Sequence, residues 1–302
     1  MKILSLGLTG AFDEFRSKLQ QDCCALVQEG FRIAIDETNR GSYTFLGCNI
    51  AEGELSFRNY ERIKNSLKDY ASQLLVDVIL NNEEKELLRK IVSNNYHFFN
   101  EEECNIILSN ALKLLSDNSG LFGDFSYQER RTYILNRIQE YLTNHHEMVL
   151  DGFVAFRLKD YRGKLAEVVD KAVDEYMMDV EYKEFIQILR YFVEIQEVQV
   201  EEVHVIIDSE GQFIIRDSAG KVINHQYLEA FIMKKGEEIS FEDMLISALI
   251  TLAPHYVMVH YRAASGEQLA ATIKSVFEGR VIFCHGCELC QDYLTGQFDG
   301  RN

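Results

Sequence analysis

The chain has 302 residues, of which 47% are apolar and only one is proline, so it is globular rather than fibrous, disordered or low in complexity. Its 48 acidic side chains outnumber its 31 basic ones, a formal charge of -17 that argues against a nucleic-acid binder relying on bulk positive charge. The length suggests about two domains and buries enough surface to fold without disulfide staples.

Residues 1–54 read as a small α/β unit. A strand near Lys2 to Leu8 leads to a helix whose Phe12, Phe15, Leu19, Cys23 and Leu26 fall on one stripe. Phe31, Ile33 and Ile35 then alternate with polar positions, and Thr44, Leu46, Cys48 and Ile50 share a face beyond a turn at Asn39-Arg-Gly41. Gly7-Leu-Thr-Gly10 matches neither the Rossmann nor the Walker spacing and carries little weight as a phosphate loop.

From 55 to 197 the period becomes helical, with segments expected near 57–80, 83–95, 101–116, 127–144, 147–178 and 180–196. The apolar stripes Ile134-Ile138-Tyr141, Tyr161-Leu165-Val168-Val169-Ala172-Tyr176 and Tyr182-Phe185-Ile186-Leu189-Phe192-Val193 are expected to face a core. Charge is uneven here. Residues 127–164 carry seven Lys/Arg against five acids, and 165–202 carry three against eleven. The favoured reading is helices that neutralise one another beside a solvated acidic surface, so any acidic partner would approach the Arg130–Lys164 face.

Residues 198–302 return to α/β. Val203, Val205 and Ile207, then Phe213 and Ile215, alternate around turns at Asp208–Gly211 and Asp217–Gly220. A helix from Ser240 carries Phe241, Met244, Leu245, Ala248, Leu249 and Leu252 inward, and Pro254 ends it. A strand Tyr256–His260 follows, then a capping box at Ser265-Gly-Glu-Gln268 opening another helix, and finally a strand Val281–Cys284. The fold class is therefore α+β: a mostly helical centre flanked by α/β units at both ends, which could share a sheet.

The run Cys284-His-Gly-Cys287-Glu-Leu-Cys290 places three thiols in a C-x2-C-x2-C pattern that can converge on one metal, with Gly286 letting the backbone turn round it. A bacterial ferredoxin would continue to a fourth cysteine and a proline; Leu294 and Thr295 follow instead. If the last two strands run parallel, His260 and the cysteine run share one sheet edge, the edge where α/β folds place ligands. His260 and His285 are the candidate extra ligands, and Cys48 joins them only if the terminal sheets meet. Zinc suits a Cys3His set and an iron-sulfur cluster suits three or four thiolates, against the plain reading of reduced cysteines in a compact turn. Arg262 and Ser265 at the same edge form a candidate anion site. Cys23-Cys24, Cys48 and Cys104 read as structural, and His145-His146 as a polar helix junction. No residue qualifies as a catalytic base, so a non-enzymatic role is favoured. With no export signal and no apolar run near ~20 residues, a cytoplasmic protein with no membrane partner is expected.

Three stretches carry a resemblance: Asp151–Tyr161, Glu181–Val193 and Cys284–Cys290. Their order and spacing resemble the YtxC-like sporulation proteins of spore-forming Gram-positive bacteria. The resemblance implies a cytoplasmic role connected with endospore formation, and it brings no catalytic residue or molecular activity. Beside the residues, it favours a soluble accessory protein with a protein partner. The alternative is a zinc or iron-sulfur regulator built on Cys284, Cys287 and Cys290.

Overall fold

The computed structural model describes residues 2–9, 12–28, 31–52, 56–116, 125–208, 212–223, 241–261 and 266–287. They fall into two compact units, 1–178 and 179–302.

In the first unit, β1 (Lys2–Leu8) leads into α1 (Phe12–Gln28), β2 (Arg32–Arg40) and β3 (Tyr43–Glu52). β1 pairs antiparallel with β3, which pairs antiparallel with β2. The hairpin turn needs the positive φ of Gly41, 64°. The helices follow: α2 (Phe57–Val78), a π-helical turn (Ile79–Glu83), α3 (Glu84–Asn95), α4 (Glu101–Ser116) and α5 (Tyr127–Asn144). Ser126 and Glu129 open α5 with a capping box, each side chain taking the other's backbone N–H. The chain then makes a three-residue strand, β4 (Glu147–Val149), parallel to β1, before α6 (Leu150–Arg157) and α7 (Lys159–Ile195). The sheet order is β2-β3-β1-β4.

Two expectations are corrected here. A helix was expected from 147, but Met148 is buried beside β1, and Ser5 N–H donates to the His146 carbonyl at 2.8 Å. Pairing with an unsatisfied strand edge outweighs local propensity. The break expected between helices at 147–178 and 180–196 is absent: the 37 residues of α7 run through Met178 and Asp179 because no proline or glycine interrupts them there, and the earlier part of 147–178 forms β4 and α6.

The core of this unit joins β1, α1 and the helical stripes, with Ile134, Ile138, Leu165, Val168 and Val169 fully buried. Within it lies a polar knot. Arg130 Nε sits 3.0 Å from Glu84 Oε1 without the alignment of a hydrogen bond, and Arg130 Nη1 donates to the carbonyls of Leu115 and Phe125 at 3.0 and 3.1 Å. Tyr161 donates its hydroxyl proton to Glu84. Burial raises the Glu84 carboxyl, opposed by that hydrogen bond and by Arg130. The basic segment is thus spent largely on intramolecular contacts. Arg131 pairs with Asp77, Arg137 with Glu140 and Asp160, and Arg157 and Lys164 lie over the rings of Tyr141 and Phe125.

The second unit contains the end of α7, then β5 (Val200–Ile207), β6 (Phe213–Asp217), α8 (Phe241–Leu252), β7 (Pro254–His260), α9 (Glu267–Phe277) and β8 (Val281–Phe283). Its order is β6-β5-β7-β8, antiparallel between β5 and β6 and parallel from β5 through β7 to β8. The two four-stranded sheets are separate, each built from one unit's strands. Pro254 opens β7 instead of merely ending α8, since Ala253 at φ 43° absorbs the reversal. Of the stripe expected to be buried on late α7, only Ile186 and Val193 are; Tyr182, Phe185 and Phe192 are about half exposed, at 50%, 50% and 47%. The helix meets its unit along a narrow seam and leaves Tyr182 and Phe185 at the rim of a groove.

Candidate metal centre

The parallel pairing of β7 and β8 sets the site. Val257, Met258 and Val259 stand opposite Val281, Ile282 and Phe283, and the Cys284 N–H extends the ladder by donating to the Val259 carbonyl at 2.9 Å. His260, the last residue of β7, and the cysteines that follow β8 therefore leave the sheet at its carboxyl edge, as the crossover through α9 requires.

His260, Cys284 and Cys287 present ligand atoms that all lie within 4.8 Å of one another. Cys287 Sγ is 3.6 Å from His260 Nδ1. The turn joining the two cysteines passes through Gly286 at φ 128°, and the Gly286 N–H points back to Cys284 Sγ at 3.3 Å, the direction of donation that stabilises a thiolate. His260 has no exposed surface, while both cysteines are half-buried. Burial, reinforced by the neighbouring His204 ring, holds the His260 imidazole well below its ordinary value, at about 4. It is neutral at pH 7 and keeps a lone pair for a ligand.

The arrangement fits a tetrahedral ion. With zinc–sulfur bonds near 2.3 Å and zinc–nitrogen bonds near 2.05 Å, the sulfur–nitrogen edge of a tetrahedron is about 3.6 Å. The observed Cys287–His260 separation is 3.6 Å. Small side-chain adjustments bring Cys284 to the same centre, because its distances already fall inside 4.8 Å.

Of the other candidates, His285 is exposed and is not one of the three converging groups. Cys290, Arg262 and Ser265 lie outside the described residues; the residue preceding α9 is Gly266, which caps it without a side-chain bond. Cys48 is buried in the first unit's core, its thiol pushed up to about 12 by burial first, and Cys23 likewise to about 11. His145 caps α5 and stacks on Tyr141 at 4.3 Å.

His204 belongs to the site and was not singled out from the sequence. In the β5–β7 register His204 stands opposite Met258 and Ile206 opposite His260, so the two histidines lie two residues apart on one face of adjacent strands. His204 Nδ1 is 3.0 Å from His260 Nε2, and His204 Nε2 is 3.7 Å from Glu202 Oε1. Its alternation with Val203 and Val205 was visible; its partner required the register.

The sequence model of the YtxC-like family matches residues 69–282, most of the chain, and the chain belongs to that family. The match holds the Asp151–Tyr161 and Glu181–Val193 stretches and both site histidines, and it ends two residues before Cys284. Among curated proteins, the uncharacterized protein YtxC of Bacillus subtilis (strain 168) is 25% identical over 224 residues, 71% of this chain and 76% of that protein. No solved structure matches the chain. Among the described residues, no helix is long and apolar enough to cross a membrane.

Proposed function

We propose that the chain is a zinc-binding accessory protein, in which His260, Cys284 and Cys287 hold one zinc ion; the C-x2-C-x2-C spacing of the sequence offers Cys290 as the fourth donor. The reading is carried by the convergence of one imidazole and two thiols from the ends of two parallel strands. With a fourth protein donor zinc is saturated and keeps no open position for a substrate, which gives the ion the role of clasping the Cys284–Cys287 turn to the sheet edge. A neutral, buried imidazole supports ligation; it is poorly suited to the imidazolium–thiolate pair of a cysteine nucleophile.

Substituting cobalt(II) for the native ion tests the coordination. A tetrahedral thiolate site gives intense visible bands together with thiolate-to-cobalt charge transfer, whereas a weak octahedral spectrum would refute the clasp.

The accessory role, in spore formation and with a protein partner in the cytoplasm, follows from the resemblance. It is supported by the groove of about 670 Å³ beside late α7, where Phe185, Leu189, Ile246 and Ile250 line an apolar floor next to Glu242 and Asp243. Deleting the gene in a spore-forming host should lower the yield of heat-resistant spores without affecting vegetative growth; unchanged spore yield counts against the role.

A further inference from the structure

The geometry points to a positioning residue behind the proposed zinc ligands: we infer that His204 selects the tautomer of His260 that can bind metal. The inference rests on the zinc reading and goes beyond it by assigning protons to named atoms. His260 turns Nδ1 toward Cys287 Sγ, 3.6 Å away, and Nε2 toward His204 Nδ1, 3.0 Å away. Two neutral arrangements satisfy that inter-histidine contact. In one, His204 Nδ1–H donates to His260 Nε2; the remaining His260 proton then sits on Nδ1, aimed at the cysteine, and blocks a metal ion. In the other, His260 Nε2–H donates to His204 Nδ1, which leaves the Nδ1 lone pair of His260 facing the thiols.

The second arrangement places the His204 proton on Nε2, the atom 3.7 Å from Glu202 Oε1. The carboxylate therefore favours the metal-competent state. The contacts from Glu202 through His204 to His260 extend the carboxylate–histidine support found behind metal-bound imidazoles by one ring, the outer link being a charge contact at 3.7 Å and the inner one a hydrogen bond. The two ring planes are near parallel, 29° apart, with centroids 5.3 Å apart, the separation expected when the rings meet end-on through a 3.0 Å N–H···N bond. Side-chain exposure of 13% at His204 limits competition from water for the inter-ring bond.

The test compares zinc affinity of the full chain with that of His204→Leu and His204→Asn, by competition with a chromophoric chelator, and assigns the histidine nitrogens by 15N NMR. His204→Leu removes the acceptor and should lower zinc affinity by about 10- to 100-fold. His204→Asn keeps an oxygen near the position of Nδ1 and should restore most of it, a rescue that loss of packing alone would not produce. In the zinc-loaded wild type, His260 should be metal-bound at Nδ1 and protonated at Nε2, and His204 protonated at Nε2. Wild-type affinity in the Leu variant, or zinc bound to His260 through Nε2, overturns the role of His204 while leaving the zinc site standing. A wild-type chain that takes up no zinc overturns both.

Discussion

Arg130 offers a severe test of how the first unit is held together. The side chain is 5% exposed and its partner Glu84 is 8% exposed. Arg130→Met keeps much of the volume and removes the charge. Two hydrogen bonds, to the carbonyls of Leu115 and Phe125, are lost at about 1 kcal/mol each. The Glu84 carboxylate, still bonded by Tyr161, loses its counter-charge in a buried position, which costs roughly 3 kcal/mol more. The total is about 5 kcal/mol, a large share of a domain's stability.

Adding Glu84→Leu removes the stranded charge but also the acceptor of the buried Tyr161 hydroxyl, so it should recover about 1–2 kcal/mol net and leave a loss of roughly 3–4 kcal/mol. The pH dependence follows from the raised Glu84 carboxyl. The folded state holds this proton more tightly than the unfolded state, so the group's contribution becomes less favourable as pH rises from the ordinary carboxylate range through its folded value. Removing Arg130, which lowers that value, pushes it up further. The deficit of Arg130→Met should therefore shrink in mild acid and be largest at neutral pH. Urea denaturation followed by far-UV circular dichroism suits a chain without tryptophan. A cost below ~1 kcal/mol that is the same at pH 5 and pH 8, or a double variant weaker than the single, would refute the reasoning.

Gly286→Ala puts a Cβ on a residue at φ 128°, and should weaken zinc binding by about 1–3 kcal/mol in a chelator competition while leaving helix content unchanged. Ile138→Ala, at a fully buried position on α5, should cost roughly 2–5 kcal/mol in the same urea titration. Alkylation mapped by mass spectrometry should modify Cys24 first, because it is exposed. Cys23 and Cys48, buried and with raised thiols, should react only on unfolding, and Cys284 and Cys287 should become reactive when a chelator is added.

The parts of the fold legible in the sequence are those whose apolar period matches one buried face. Residues 31–50 alternate and form the β2–β3 hairpin; Ile134 and Ile138 lie on one stripe and are buried. The capacity of His260 and the cysteines to meet was legible too, because a parallel crossover brings strand ends to one edge whatever the details. Three features were hidden for physical reasons. β4 has only three residues and exists because β1 offers an edge. The exposure of Tyr182 and Phe185 depends on how narrow a seam α7 buries, which periodicity does not encode. The pairing of His204 with His260 depends on a strand register, where a shift of one residue would turn the ring to the opposite face.

The most direct measurement is metal stoichiometry by elemental analysis, after anaerobic purification, of the full chain beside Cys287→Ser and His260→Ala. The zinc clasp predicts one zinc per wild-type chain, and loss of that zinc in both variants with the helical spectrum preserved. Wild-type protein that is folded and free of zinc, or variants that retain a full equivalent, would contradict it.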